Sequence, residues 1–341
     1  MKNKSTIIKF YVLFCFFASF FIVSCSKKNE VIIVKHPITL RLSDNHAKGY
    51  PTTMADEEFG RLVEKETEGR IKIEVRAGGA LAENEGDAIE ALKYGDLAFT
   101  RVSASSVSSY VSQINAIQFP YLYKNSEHMW KVLNGSIGQS ILAEIEKSGS
   151  GLVGLCYYDA GSRNFYVTRP VNSVADMKGL RIRVLNSPIM LDMCEALGAK
   201  GVTGLSMTQV RGAIERNEID GAENNIPTYQ TNGDYSIAPY FIMDQHTRVP
   251  EILIASKKVL DRLDPKDVEI IKKVAKEVQE YEIKKWHERE DYSEKIAKQN
   301  GCTVIELSSD AYAEFQAAMT PVYEKHGSQY ISVINSIRST N

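Results

Sequence analysis

The chain has 341 residues, 43% of them hydrophobic, with 41 basic side chains against 43 acidic ones and a formal net charge of -2. That balance leaves no electrostatic footprint for nucleic acid, and no basic block stands out beyond the N-terminus. The histidines are scattered, with no HExxH or His/Cys cluster for a metal, no GxSxG elbow and no phosphate-cradling glycine loop, so neither metal, cofactor nor catalytic residue is expected.

Lys2, Lys4 and Lys9 precede an uncharged apolar run from Phe10 to Val23. The run is too short for a comfortable membrane span and reads as a secretory signal. The boundary Ile22-Val23-Ser24-Cys25 resembles the bacterial lipobox, which implies cleavage before Cys25 and lipid on its sulfur; ordinary signal cleavage beside a chance cysteine is the alternative. Residues 1–24 are then a lipoprotein signal peptide and 25–36 a lipid-anchored tether outside the cytoplasm. Cys156, Cys194 and Cys302 remain in the folded part, as small buried thiols or with one pair bridged. A mature chain of just over three hundred residues exceeds the usual single core and favours two lobes with a cleft between them.

Alternation from Ile38 to Leu42 predicts a strand, and Met54, Phe59, Leu62 and Val63 at helical spacing predict a helix over Pro51–Glu68 that Gly69 stops. Ile71, Ile73 and Val75 alternate again, giving a βαβ unit in a mostly parallel sheet. A helix over Ala88–Tyr94 and a strand over Leu97–Val102 follow. Leu152–Tyr158 is a β-rich run, and Asp159–Ser162 is the expected crossing to a second lobe. Phe165–Thr168 and Leu180–Leu185 are strands there. The Asp220-Gly221 turn, given conformational freedom by its glycine, leads into Ala222–Asn224. Phe241–Arg248 is expected to cross back, and Asp264-Pro265 opens a helix of about thirty residues, about 45 Å long, as a strut across both lobes. Lobe I is thus placed at 37–159 and 249–288, and lobe II at 160–248 and 289–341. The expected class is α/β and two-lobed.

Arg181 and Arg183 alternate to one strand face, so one of them is expected to face the cleft. A guanidinium there and a fixed Asn224 amide suit a carboxylate bearing hydroxyls.

Taken in order, ETEGRIKIEV (Glu66–Val75), GDLAF (Gly95–Phe99), FPYLY (Phe119–Tyr123), GSRNFYVTRP (Gly161–Pro170), DMKGLRIRV (Asp176–Val184), ALGA (Ala196–Ala199) and IDGAENN (Ile219–Asn225) resemble the solute-binding proteins of tripartite ATP-independent periplasmic (TRAP) transporters. The resemblance implies a periplasmic-binding-protein-like α/β fold with mixed sheets flanked by helices, two lobes closing on a ligand, no catalysis, and delivery to a membrane permease driven by an ion gradient. It also implies that Arg183 grips the ligand carboxylate, that Arg163 is a second contact, and that the Asn224 amide orients the carboxylate and Arg183. Arg101 falls where lobe I presents a selectivity side chain, or else is a solvated arginine.

DNHAKGYPT (Asp44–Thr52), FTRVS (Phe99–Ser103), YYDAGSR (Tyr157–Arg163) and DQHTRVPEIL (Asp244–Leu253) resemble a branch that binds sugar acids such as glucuronate or galacturonate. Asn45, His46, Asp159 and His246 could then meet ligand hydroxyls, or cap loops instead. The chain departs from the family at ALAENE after Gly79, and at KGVTGLSM with Gln209-Val210-Arg211, where Arg211 is read as a solvated helix residue rather than an anion contact. A C4-dicarboxylate or other carboxylate remains an alternative ligand, a signalling partner an alternative to the permease, and an enzyme acting on sugar acids a third reading.

Overall fold

The structure, a computed structural model, describes residues 37–341; the expected signal peptide, the tether and Cys25 lie outside the described residues. Eleven strands are found there: β1 (Ile38–Ser43), β2 (Ile71–Arg76), β3 (Phe99–Ser103), β4 (Leu152–Tyr158), β5 (Arg163–Val167), β6 (Arg181–Arg183), β7 (Lys200–Val202), β8 (Gly221–Asn224), β9 (Tyr240–Thr247), β10 (Glu251–Ser256) and β11 (Thr303–Ile305). They form two mixed sheets, ordered β2-β1-β3-β10-β4 and β11-β9-β5-β8-β6-β7, each carried by its own lobe.

In the first lobe β1 buries Leu40 and Leu42 and leaves Thr39 and Arg41 exposed, the period of a strand with one covered face. The cover is the helix Pro51–Glu66, which begins on a proline and turns Ala55, Phe59, Leu62 and Val63 inward. β1 pairs in parallel with both β2 and β3, while β10 enters antiparallel between β3 and β4. The helix expected over Ala88–Tyr94 starts earlier, at Glu85, because Asn84 caps it through a 2.9 Å bond from Asp87 N–H.

The chain passes from β4 to β5 through Asp159–Ser162, as read from the sequence. It returns only after β9, through Arg248–Pro250; the residues expected to cross back instead form β9 at the heart of the second sheet. At the first crossing Gly161 has φ +60, and a Cβ there would lie 2.1 Å from Glu290 Oε1 and 2.9 Å from Trp286 Nε1. The segment therefore lies flat on the long helix, which runs from Pro265 to Gln299.

That helix has 35 residues, longer than the sequence suggested, and at 1.5 Å per residue spans about 52 Å. Ile271, Val274, Ala275 and Val278 pack with Phe59, Val63 and Leu253 of the first lobe, whereas Ala297 packs with Tyr229 and Phe241 of the second. It is the strut the sequence implied. The last helices bond to both sides: Tyr330 Oη donates to Ser112 O at 2.7 Å, and Lys325 Nζ lies 2.8 Å from Asp192 Oδ2. Cys156, Cys194 and Cys302 are free and buried. Among the described residues no helix is long and apolar enough to cross a membrane.

Candidate functional site

Strand direction decides which side chains meet. In the second sheet β6 and β8 run parallel and end at Arg183 and Asn224, while antiparallel β5 starts at Arg163 with Asn164 opposite Asn224, so all three reach one edge. In the first sheet β3 ends where antiparallel β10 begins, placing Glu251 opposite Ser103 and near Arg101. The two edges face each other across a cleft of about 550 Å³, within the range of about 300–1,000 Å³ usual for small-ligand sites. Arg183, Arg163, Asn224, Arg101 and Asn45 all line it, as does His46.

The glycine before Asn224 has a different purpose from the one expected. Gly221 needs no left-handed backbone; a Cβ there would sit 2.3 Å from Tyr166 O, so its missing side chain lets β8 approach β5. Asp220 holds Arg181 instead, accepting from its backbone N–H at 2.8 Å and its Nε at 2.9 Å. Arg181 is thereby taken out of competition, and Arg183 is the arginine of β6 that enters the cleft.

A guanidinium has five N–H donors, and the three cleft arginines spend them very differently. Arg183 gives Nε and one Nη2 hydrogen to the carbonyl of Leu205, at 3.1 and 2.9 Å, and keeps three donors free. No carboxylate among the described residues pairs with it, and burial lowers its pKa. Arg163 commits four donors, to the Glu223 carboxylate, the Glu223 carbonyl at 2.9 Å and Asn224 Oδ1 at 3.1 Å. Burial would raise the Glu223 carboxyl, yet Arg163 and His246 hold it down at about 2. Asn224 Oδ1 also accepts from Asn225 N–H at 2.9 Å, so its orientation is fixed and its NH₂ is left to donate. The second-lobe edge is a wall of donors.

Arg101 is the reverse case: it reaches the cleft edge where a lobe I selectivity side chain was expected, but with every donor committed, and the solvated alternative is corrected. Its side chain is 1% exposed, and all five donors go to Asp44, Glu85, Glu251 and Asn45. It is neither a solvated arginine nor a free anion contact; it lines the cleft as the hub that gathers three carboxylates. His46 stacks on Tyr50 at 4.1 Å with Nδ1 3.1 Å from Thr52 Oγ1, and burial followed by Arg101 keeps it uncharged, with its pKa lowered to about 3.

Two predicted residues are not brought to the cleft. His246 is fully buried behind it, its Nδ1 2.9 Å from Asp244 Oδ2 and its Nε2 3.5 Å from Glu223 Oε2. It backs the carboxylate that holds Arg163. Asp159 sits at the lobe crossing, where the Trp130 indole donates to one oxygen at 2.8 Å and the turn's Gly161 N–H donates to the other at 2.7 Å. Arg211 bonds Gly233 O at 3.0 Å and Glu215 at 3.1 Å away from the cleft, in keeping with the helix-residue reading. Both stretches that depart from the family pattern reach the cleft, through Glu83 to Glu85 and through Ser206, Met207 and Gln209.

Sequence reasoning missed Glu223, Glu251 and Tyr50. The signal for the glutamates was present: each is a lone charge in a strand whose every residue is buried. Tyr50 ties the lobes together, its hydroxyl 3.0 Å from Thr228 Oγ1 and 3.4 Å from Asn225 Oδ1, and Thr208 Oγ1 donates to Glu83 at 3.4 Å across the rim. Among the described residues no cluster of His, Cys, Asp or Glu could hold a metal ion.

Two α/β lobes on a strut, shut over a cleft whose free donors converge on one side, define a solute-binding protein of the periplasmic type. The chain belongs to the bacterial extracellular solute-binding protein family 7 (DctP), which it matches over residues 42–329, and is thus a TRAP solute-binding protein. A Pseudomonas putida F1 TRAP protein with bound D-glucuronate superposes with a TM-score of 0.86 at 33% identity, covering 89% of this chain and 97% of that one. A Bradyrhizobium TRAP protein in complex with galacturonate gives 0.85 at 35% identity, covering 89% and 100%. The Citrobacter koseri protein matches in two forms: with bound D-glucuronate at 0.85, 30% identity and 89% and 100% coverage, and apo and open at 0.78, 29% identity and 88% and 99% coverage.

Proposed function

We propose that this protein captures a hexuronate, such as glucuronate or galacturonate, and hands it in the closed form to a TRAP membrane permease. The observation that carries the reading is Arg183, the cleft arginine with three free donors and no carboxylate partner among the described residues. Its counter-ion is the ligand carboxylate, with Arg163 Nη1 and the Asn224 amide completing the grip. Asn45 and the carboxylates around Arg101 meet the hydroxyls from the other lobe. The better superposition on the glucuronate-bound than on the open Citrobacter koseri form supports reading the Tyr50–Thr228 contact as part of closure. A lipid on Cys25 would hold the receptor at the outer face of the membrane.

The test is a thermal-shift and calorimetric panel of glucuronate, galacturonate, C4-dicarboxylates and sialic acid on the purified mature protein. Hexuronates should stabilise it at micromolar concentration without being consumed. Stabilisation by dicarboxylates alone would overturn the ligand assignment, and mass-detected turnover would overturn the receptor role. Mass analysis of the membrane-extracted protein for acyl chains on Cys25 tests the anchor separately.

A further inference from the structure

The carboxylates at the cleft belong to one lobe. On the first-lobe edge Glu83, Glu85 and Glu251 line the cavity with Asp44 directly behind, and the one charged base among them, Arg101, has no donor left for a ligand. Glu85 is itself occupied: Oε1 takes Arg101, and Oε2 takes Ser103 N–H at 3.1 Å and Ser106 Oγ at 2.6 Å. Glu251 differs. It is 8% exposed, its Oε2 holds Arg101, and its Oε1 accepts no hydrogen bond from any described residue while the side chain lines the cleft. A carboxylate side chain nine-tenths buried in the cleft wall, with one oxygen left without a protein donor, is open to a donor from the ligand.

We propose that this wall, with Glu251 at its centre, is the element that selects a monocarboxylate over a dicarboxylate: it takes hydroxyl donors from the far end of the ligand and repels a second carboxylate there. The inference rests on the hexuronate reading and extends it to what the site refuses. The second lobe offers free cationic donors for one carboxylate, concentrated on Arg183. A ligand carboxylate at the opposite end meets Glu83, Glu85 and Glu251 with, besides the committed Arg101, only neutral groups such as Asn45 and Tyr110 between them, and like charges in a partly dry site cost about tenfold to a hundredfold in affinity. Burial raises the Glu251 carboxyl to about 7, so its part of that repulsion is complete only above that pH. A hydroxyl in that place donates to Glu251 Oε1 and is favoured by the same charge.

The experiment is calorimetric titration of the mature protein, well above pH 7 so that Glu251 is ionised, with glucuronate and with glucarate, which carries a carboxylate at both ends of the same six-carbon skeleton, repeated on Glu251→Gln. The wild type should prefer glucuronate by at least about tenfold, and Glu251→Gln should narrow that preference by about tenfold. The difference in ligand shape is the same against both proteins, so the change in ratio reports charge. Equal affinities in the wild type, or an unchanged ratio in a folded Glu251→Gln protein, would overturn the proposal and leave hexuronate capture standing. Absence of glucuronate binding to the wild type would remove both. Should Glu251→Gln not fold, Glu83→Gln at the rim, which makes no contact with Arg101, should narrow the ratio in the same direction, and an unchanged ratio there would likewise overturn the proposal.

Discussion

Replacing Arg183 by alanine should separate binding from stability, which few buried arginines allow. Two of its three free N–H groups suffice to hold a carboxylate, and each charge-assisted bond contributes about 1.5–3 kcal/mol. Losing both costs about 3–6 kcal/mol, a weakening of roughly a hundredfold to ten-thousandfold in Kd. The ligand-free protein should hardly notice, because what Arg183 gives up is a pair of bonds to the Leu205 carbonyl, and burial already works against its charge. Arg163→Ala is the contrast: it strands Glu223 in a fully buried position and should destabilise the free protein by about 3–5 kcal/mol. Glucuronate titration by calorimetry and urea unfolding of the ligand-free variants read the two effects independently. Unchanged affinity in Arg183→Ala, or a stability loss as large as that of Arg163→Ala, would refute the assignment of Arg183 as the uncommitted cation.

Tyr50→Phe removes the hydroxyl that reaches Thr228 and Asn225 across the cleft, and should weaken glucuronate binding by about 0.5–1.5 kcal/mol per lost bond while leaving lobe packing intact; calorimetry checks it. His246 sets a pH dependence. Burial opposes its charge, but Asp244 and then Glu223 raise its pKa from 6.5 to about 9, so the folded state binds the proton more tightly than the unfolded chain. The resulting stability is full below about pH 6.5 and is lost as pH rises through about 9. Urea midpoints should fall across that window in the wild type and stay flatter in His246→Gln.

The fold was legible where local signals are strong. The alternation in β1, the helical spacing of Phe59, Leu62 and Val63, and the Asp264-Pro265 start of the strut are encoded within a few residues of each other. That Arg183 and Asn224 line the cleft was partly legible: the strand narrowed the arginine to Arg181 or Arg183 and the family resemblance chose between them, while the turn before Asn224 pointed to its amide, although the glycine of that turn acts through close packing rather than backbone freedom. What the sequence hid was commitment. Arg101 reads like any cleft arginine until the fold brings Asp44, Glu85 and Glu251 to it from distant segments, and those pairings are long-range contacts with no local signature. His246 and Asp159 misled for the same reason: a polar residue in a plausible motif can serve the ligand or the scaffold, and only the positions of Glu223 and Trp130 decide which.

If the proposed grip holds, the division of donors and acceptors between the lobes makes closure a consequence of ligand chemistry. Binding in the micromolar range needs about 8 kcal/mol, whereas under the proposed grip the free donors of Arg183, backed by Arg163 and Asn224, would supply roughly 3–6 kcal/mol from two charge-assisted bonds to a carboxylate. On the proposed reading the remainder comes from hydroxyls reaching Glu251 and its neighbours on the other lobe, a gain that would exist only when the lobes are shut. A ligand can shift the open–closed equilibrium only by its differential affinity for the two states. A bare monocarboxylate such as acetate satisfies the second-lobe donors equally well with the cleft open or shut, so it should bind weakly and leave the conformation unchanged. Glucuronate, engaging both walls, should compact the protein in small-angle scattering. Equal compaction by acetate and glucuronate would show that the carboxylate grip alone drives closure, and would defeat this division of labour between the lobes.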